Sequence, residues 1–367
     1  MLGIMEGVVY LPLHGGHTPP KLFRYMVSLT RPLIKYMVDE LGEEEVLKRF
    51  SNPFFFQAFS CIVGFDWHSS GTTTVLTGVL SKALEGLDIN LNIVGGKGKY
   101  ARSIPDQLDK YDVDKERLLK ISRIAAKTDT VLLQDGYDIY HHAIMFIDED
   151  RWIVIQQGMN TEIKYARRYH WSWEKGLDLR YLNEPHISII TPRYERGIIN
   201  LTDHNSLEAK KTMLDILRDG GLKRDLQRLI DRSRHSLYRW IQKSGGDIDI
   251  PKDVLVLPKK INWEEVKKIY LDKPSSYGEL LSYKGYTKQT VRALTLISKL
   301  IYGEEIGWRD TVKYTFVVGG KDGVPYPIDY KTYKNLIDFF EEAVENSGLD
   351  RRKKRDMLRR LHKNIKI

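Results

Sequence analysis

The chain has 367 residues, of which 42% are hydrophobic and 29% are charged. This balance is typical of a globular protein and excludes a disordered or fibrous one, and no run of about 18 apolar residues suggests a transmembrane helix. The single cysteine, Cys61, excludes an intramolecular disulfide and a cysteine-rich zinc site. The first residues lack the pattern of a secretory signal, so we expect a cytoplasmic protein with no membrane partner.

Helix-like and strand-like segments alternate through roughly the first half of the chain. A proline opens the first predicted helix, PPKLFRYMVSLTRPLIKYMVDELG, as is common at a helix start. AIMFID and RWIVIQQ predict a β-hairpin with its turn at Glu149 and Asp150. The other predicted elements are the strand GVVYLPL, the helices EEEVLKRFSN and TTTVLTGVLSKALEG, the strand INLNIVGG, the helix DKERLLKISRIAAKT and the strand HISIITP. This order predicts an α/β or α+β domain over residues 1–205.

The pattern changes near residue 205, after which helical periodicity dominates. The predicted helices are NSLEAKKTMLDILRDGG, KRDLQRLIDRSRHSLYRWIQKS, NWEEVKKIYLDK, TKQTVRALTLISKLIYG and DYKTYKNLIDFFEEAVENSG. Residues 206–367 are therefore predicted to form a mostly helical second domain.

The second domain ends in a basic tail, LDRRKKRDMLRRLHKNIKI, with nine Lys and Arg and two Asp. Together with the formal net charge of +9, the tail favours a polyanionic partner such as DNA. The alternative is the solvated face of a helix. The tail residues predicted to contact DNA phosphates are Arg351, Arg352, Lys353 and Lys354.

Three short motifs rich in His and Asp lie in the first domain: LPLHGGHTPP, GFDWHSSGTTT and QDGYDIYHH. Each of them lies beside a predicted strand, and α/β folds gather ligands at strand ends. Structural hydrogen-bonded histidines are the alternative. The predicted catalytic residues are His14, His17, Asp66, His68, Asp135, His141, His142 and Gln157.

Two segments carry the features of a phosphate site. Small hydroxyl residues lead from GFDWHSSGTTT into a predicted helix, whose start offers backbone N–H groups to an anion. The glycine-rich GGKGK presents two lysines at a strand end. Simple helix caps and a plain turn are the alternatives. The residues predicted to orient phosphate are Ser69, Ser70, Thr72, Lys97 and Lys99.

Gln156 and Gln157 follow each other on one predicted strand. Successive side chains of a strand point to opposite faces, so we expect one glutamine in the catalytic cleft and the other on the opposite side of the sheet. Gln157 is predicted to face the cleft because Gly158 lets a ligand approach closely.

Histidine, aspartate and carboxamide side chains suit Mn, Mg, Fe or Zn, and the lack of thiolates excludes a soft structural site. Mn or Mg is the predicted metal. A divalent ion could activate water and neutralise charge on a phosphodiester. A metal-free pair of histidines acting as base and acid remains an alternative. We predict no organic cofactor. The predicted metal ligands are His14, Asp66, His68 and His141.

ELLSYKGYTKQTVRALTLIS resembles the helix-hairpin-helix family, although Thr287 stands where the second glycine of that family belongs. The resemblance implies that Gly285, Thr287 and Lys288 contact a DNA phosphate without reading bases. An ordinary turn between helices is the alternative. Some glycosylases of this kind have an aspartate near the position of Asp310, but their lysine aligns with Gln289.

LPLHGGHTPP, GFDWHSSGTTT, GGKGK, QDGY-x-x-YHH and QQGMN together resemble the archaeal and bacterial family of domain of unknown function 763. This resemblance implies that the polar motifs belong to one family pattern. We expect a DNA-processing enzyme, most plausibly a nuclease. The alternatives are a non-catalytic DNA-binding protein and an enzyme acting as a DNA glycosylase or on a small phosphorylated substrate.

Overall fold

The computed structural model describes residues 18–65, 70–191, 194–232, 256–258, 260–311, 314–315 and 330–364. The predicted strand GVVYLPL and the second half of the helix predicted to begin near Lys223 lie outside these residues.

Three helices open the described chain: α1 (Pro20–Ser51), α2 (Pro53–Ile62) and α3 (Gly71–Leu84). α1 joins the first two predicted helices, and Gly42, at φ 79°, breaks the helical geometry between them. The Asn52 side chain accepts the N–H groups of Phe54 and Phe55 and so starts α2. α2 was not predicted, because it is apolar on nearly every side and shows no helical periodicity.

The next part of the chain supplies the edge of a sheet and the helices on its far side. These elements are β1 (Asn92–Lys97), α4 (Lys99–Arg102), α5 (Ile104–Leu108), α6 (Lys115–Lys127), a π-helical turn (Thr128–Leu132) and β2 (Leu133–Gln134). Asp114 caps α6 by accepting the N–H of Arg117.

The central strands of the main sheet are β3 (Asp138–Phe146), β4 (Trp152–Asn160) and β5 (Tyr165–Ser172). The predicted hairpin is β3 and β4, and its predicted turn residues lie in the loop that Ile147 N–H closes onto Arg151 O. With β6 (Ser188–Thr191) and β9 (Tyr314–Thr315) the strand order is β1-β3-β4-β5-β6-β9. The pairs are antiparallel except β6–β9, so the α+β alternative describes this domain.

Helices cover both faces of the main sheet. One face, which we call the α3 face, packs on α1, α2 and α3 through residues such as Met145 and Ile155. The opposite face, the α6 face, packs on α5 and α6 through residues such as Ile144 and Val154. Because both faces are buried, any polar side chain on these strands needs a partner inside the protein.

Helices dominate the rest of the chain, as predicted. A small sheet of order β2-β7-β8 includes β7 (Arg196–Asn200) and β8 (Gly307–Arg309). The helices beside it are α7 (Leu207–Arg218), α8 (Leu222–Arg232), α9 (Trp263–Asp272), α10 (Tyr277–Leu280) and α11 (Lys288–Leu300). They share a separate hydrophobic core with the π-helical turn.

The last two helices, α12 (Tyr330–Asn346) and α13 (Arg351–Asn364), pack in the core with α1, α2 and α3. Phe340 of α12 and Met357 and Leu361 of α13 are fully buried in the core formed by α1, α2 and α3. The basic tail is therefore one amphipathic helix with an anchored apolar side. Within the described residues, every helix is too short or too polar to cross a membrane.

Candidate phosphate-binding cleft

A cleft of about 990 Å³ lies where the start of α3 meets the edge strand β1 and the following helices α4 and α5. We call it the α3–β1 cleft. Its α3 side presents Ser70, Gly71 and Thr74, and its β1 side presents Gly96 and Lys97. Small hydroxyl groups, a helix start and an exposed lysine on facing walls suit an anion.

The GGKGK loop owes its shape to glycine. Gly95, Gly96 and Gly98 have φ values of 99°, 137° and 60°, which residues with a side chain rarely adopt. A Cβ on Gly95 would also lie 2.3 Å from the backbone oxygen of His142 on β3. The Gly95 N–H donates to Gln107 Oε1 at 2.9 Å. These constraints hold Lys97 at the sheet edge with an exposed side chain.

Described residues from four motifs that lie far apart in the sequence line this cleft. Thr18, which follows His17 in the chain, lines it, and so does Ser70, which follows Ser69. Lys97 of the glycine-rich loop and Tyr140, which precedes His141, complete the set. His14, His17, Asp66, His68 and Ser69 themselves lie outside the described residues. Their catalytic, phosphate-binding and metal-binding roles stay predictions.

Gln157 lies on the α3 face, behind the cleft. Its amide nitrogen donates to the backbone oxygen of Ser70 at 2.7 Å and to the Tyr140 hydroxyl, and its amide oxygen accepts from Thr73 Oγ1. Ser70 and Tyr140 both line the cleft. Gln157 is itself fully buried. It can therefore position these two cleft residues, but it does not reach the cleft surface.

His141 shares the α3 face and is also fully buried. Thr77 Oγ1 donates to Thr73 O and lies 3.1 Å from His141 Nε2, so Nε2 carries the proton and donates to Thr77. His141 Nδ1 has no hydrogen-bond partner among the described residues. Burial, together with positive charge at His142 and Lys97, lowers the pKa of His141 from 6.5 to about 3. His141 is therefore neutral at physiological pH.

His142 and Gln156 lie on the α6 face, away from the cleft. Gln156 Oε1 accepts from His142 Nδ1 at 2.8 Å, and Ser122 Oγ lies 2.7 Å from His142 Nε2. Gln156 Nε2 donates to Asp129 Oδ2 at 2.6 Å. Burial lowers the pKa of His142, although the Gln156 bond and Asp129 oppose the shift. The two glutamines face opposite sides of the sheet, as expected. The prediction that Gln157 faces the cleft is wrong, because its side chain is fully buried behind the cleft.

Asp129, in the π-helical turn, is the centre of this buried network, and the sequence analysis missed it. Besides Gln156, the carboxylate accepts from Trp171 Nε1 at 3.0 Å and pairs with His186 Nε2. All three partners of Asp129 are buried. Asp129 continues the apolar face of α6 as a single acidic residue, and this position in the sequence could have indicated a buried polar contact.

Asp135 does not lie at the cleft. It is buried and accepts from Arg167 Nη1 at 2.8 Å and from the Tyr169 hydroxyl at 2.6 Å. Arg167 also binds the carboxylate of Asp310 in two places. Burial raises the pKa of Asp135, whereas Arg167 and Tyr169 oppose that rise. Asp135, Arg167 and Asp310 thus form one buried ionic cluster, which ties β5 to the segment after β8.

The consecutive arginines of β5 were a signal that the sequence analysis did not use. Arg168 faces the opposite side of the sheet from Arg167, is fully buried and donates to Gln57 Oε1 at 3.1 Å. Its guanidinium carbon lies 4.7 Å from the centre of the Phe56 ring. Burial lowers the pKa of Arg168 to about 9. Two charged residues inside an apolar strand predict buried polar contacts on both faces.

No group of three or more His, Cys, Asp or Glu side chains among the described residues is arranged to hold a metal ion. His141 is the one predicted metal ligand that is described, and its Nε2 is bonded to Thr77. A metal site built from the other predicted ligands therefore stays a prediction.

Residues 7–328 match the model of a protein family described as a protein of unknown function, DUF763. The chain belongs to this family. No curated protein matches the chain, and no solved structure matches it. The residues that match the DUF763 model include every motif that meets at the cleft, whereas α13 lies beyond them.

The predicted helix-hairpin-helix element of this DUF763 protein is the turn between α10 and α11. Thr287 caps α11 by accepting the N–H of Thr290, and Lys288 pairs with Asp138 at 2.6 Å. A Cβ on Gly285 would lie 2.6 Å from atoms of Asn262 and Glu265. The glycine is thus required for packing against α9, whatever the turn binds.

The same turn is docked on α6. Lys127 Nζ donates to the backbone oxygens of Tyr283, Lys284 and Tyr286 at 3.0, 3.3 and 3.0 Å. Burial lowers the pKa of Lys127. One ammonium group therefore satisfies three carbonyls of the turn and fixes it to the first domain.

The basic helix α13 of this DUF763 protein runs past the end of α2. Arg360 Nε donates to Ile62 O at 3.1 Å, close to Phe65, which lines the cleft. Arg351 and Arg352 are exposed, whereas Lys353 pairs with Asp350 and Lys354 donates to Glu345 O. Arg351 and Arg352 therefore present positive charge to solvent on α13.

Proposed function

We propose that this protein is a DNA-processing enzyme, a nuclease that hydrolyses phosphodiester bonds in the α3–β1 cleft. The observation that carries the proposal is that described residues from four distant sequence motifs, Thr18, Ser70, Lys97 and Tyr140, line one cleft. Chance packing of polar residues would spread them over the surface, whereas an active site gathers them.

The walls of the cleft provide groups for a substrate phosphate. The Lys97 ammonium would neutralise charge on the phosphodiester, and the start of the 14-residue helix α3 would direct its positive end toward the same anion. Gln157, which binds both Ser70 and Tyr140, would fix the positions of these two cleft residues relative to each other. These groups bind and orient a phosphate, but none of them is a free base.

The attacking water needs activation by other residues. Hydrolysis adds a hydroxyl to phosphorus and breaks the bond to the leaving sugar oxygen, which takes up a proton. His14, Asp66 and His68 are the predicted source of that acid–base or metal chemistry. His141, a predicted catalytic residue that the structure describes, is buried and neutral and does not line the cleft.

The test is cleavage of labelled DNA by the full chain with Mn or Mg and after chelation. Lys97→Ala should lower the rate by roughly 100-fold, whereas Lys35→Ala, which removes an exposed lysine of α1 distant from the cleft, should not change it. Equal rates for the two variants would contradict the proposed site. DNA binding without cleavage under any metal condition would favour the alternative of a non-catalytic DNA-binding protein, which the burial of His141, His142 and Asp135 supports.

A further inference from the structure

The α3–β1 cleft is bordered by aromatic side chains as well as by lysines. Tyr100 stands on α4 at its rim and is 56% exposed, the second-highest exposure among the large apolar side chains described after Leu271 at 66%. Phe65, Tyr111 and Tyr140 lie along the same cleft. A single exposed ring is ordinary, but several aromatic side chains gathered along one cleft are typical of a ligand-binding surface.

Each of two lysines lies close to one of these rings. Lys99 Nζ is 5.4 Å from the ring centre of Tyr100, and Lys97 Nζ is 5.7 Å from the ring centre of Tyr140. The rim therefore offers a flat apolar face and a positive charge side by side. A nucleotide has the complementary pair, a base with a π-face and a phosphate with negative charge.

The backbone fixes the position of Tyr100. Gln107 Nε2 donates to the Tyr100 backbone oxygen at 2.8 Å, while Gln107 Oε1 accepts the N–H of Gly95. A Cβ on Gly96 would lie 3.1 Å from the Tyr100 Cβ, so the glycine lets the ring side of α4 approach the loop closely. The Tyr100 backbone is thus held beside the glycine-rich loop that carries Lys97.

We infer that the cleft takes an unpaired nucleotide of single-stranded DNA, with its base stacked on Tyr100 and its phosphate at Lys97. In a duplex, neighbouring base pairs cover the face of each base, so Tyr100 could not reach it. A cleft of about 990 Å³ also has the size of a site for a small ligand and not for a double helix. The inference rests on the proposed function and specifies its substrate.

The test is the affinity of the full chain for three probes, measured by fluorescence anisotropy or competition. The probes are an oligothymidylate about 12 nucleotides long, a blunt duplex of the same length, and thymidine 5′-monophosphate. Tyr100→Ala should weaken binding of the single strand by roughly tenfold or more. Tyr100→Phe should keep the affinity because it keeps the ring. Tyr270→Ala is the matched control, since Tyr270 is 41% exposed on α9.

Tighter binding of the single strand than of the duplex, lost in Tyr100→Ala alone, supports the inference. Equal binding of strand and duplex, or equal effects of Tyr100→Ala and Tyr270→Ala, overturns it. Binding of thymidine 5′-monophosphate as tightly as the oligomer also overturns it, because the ligand would then be a free nucleotide. Cleavage that depends on Lys97 but not on Tyr100 leaves the proposed function standing, and Tyr100-dependent binding without cleavage removes the nuclease activity alone.

Discussion

His141 and His142 are adjacent in β3, yet they face opposite sides of the sheet, where each lies within hydrogen-bond distance of one hydroxyl: Thr77 at 3.1 Å and Ser122 at 2.7 Å. Because neighbouring strand residues alternate in direction, the pair cannot act together on one substrate. His141 belongs to the layer behind the α3–β1 cleft, and His142 belongs to the buried network of Asp129.

The neutral state of His141 predicts a pH dependence of stability. Its pKa is about 3 in the folded protein and 6.5 ordinarily. The unfolded chain therefore binds more protons between these values, and the free energy of unfolding falls as the pH falls through that window. The contribution is fully present above pH 6.5. From pH 7 to pH 5, His141 alone should cost about 2 kcal/mol.

Denaturant unfolding of His141→Gln at the two pH values checks this expectation. The variant should lose less stability than the parent chain over that interval, since glutamine has no proton to bind. His204→Gln, at an exposed histidine, serves as control and should follow the parent chain. If His141→Gln and the parent showed the same pH dependence, the account of a neutral buried His141 would be refuted.

Replacing Gln156 should mainly lower the stability of the protein, whereas replacing Gln157 should mainly impair its action on DNA. Gln156→Ala leaves Asp129 and His142 each without one buried partner, so we expect a loss of about 1–3 kcal/mol in the free energy of unfolding. Gln157→Ala releases Ser70 and Tyr140 at the cleft and should lower DNA affinity or cleavage more than Gln156→Ala does. Both variants are to be measured by denaturation and by the DNA assay. If Gln156→Ala lowered DNA affinity or cleavage more than Gln157→Ala did, the assignment of Gln157 as the residue that positions the cleft would be wrong.

Arg167 and Arg168 offer a matched pair for the buried ionic cluster. Arg167→Met would leave the buried carboxylates of Asp135 and Asp310 without their cationic partner. We expect a loss of about 3–5 kcal/mol in the free energy of unfolding. Arg168 has no carboxylate partner among the described residues, so Arg168→Met should cost much less. Guanidinium denaturation of both variants measures these losses in the free energy of unfolding. Similar losses for Arg167→Met and Arg168→Met would show that the cluster does not stabilise the fold.

The basic helix should control the salt dependence of DNA binding. Replacing the exposed Arg351, Arg352 and Arg355 by serine should reduce the slope of log affinity against log salt by about 2 on single strands, at roughly 0.7 for each phosphate contact. Deleting residues 351–367 would be a poorer test, because it would also remove Met357 and Leu361 from the core. An unchanged salt slope in the folded triple variant would show that these arginines of α13 do not contact DNA and only face solvent.

Local patterns in the sequence predicted local structure well. The hairpin β3–β4 was predicted from two apolar runs joined by a short acidic turn. The opposite directions of Gln156 and Gln157 follow from the alternation of side chains along a strand. α2 was missed because its residues are buried on nearly all sides, so no polar face marks the period of a helix.

Partners that lie far apart in the chain could not be predicted in this way. Asp135 was predicted to be catalytic from its place in a polar motif, but Arg167 and Tyr169 bind it in the core. Arg167 is itself bound to Asp310, 143 residues away in the chain. Gly285 was predicted to bind phosphate, while its lack of a Cβ is required by contact with α9. In both cases the residue type is compatible with two environments, and only tertiary packing selects between them.

The measurement that tests the central claim most directly is the rate of acylation of individual lysines, followed by mass spectrometry with and without single-stranded DNA. Lys97 and Lys35 are both exposed in the free protein. If DNA occupies the α3–β1 cleft, Lys97 will be acylated more slowly in its presence while Lys35 reacts at an unchanged rate. Unchanged acylation of Lys97 at a DNA concentration that saturates binding would place the DNA elsewhere and contradict the account.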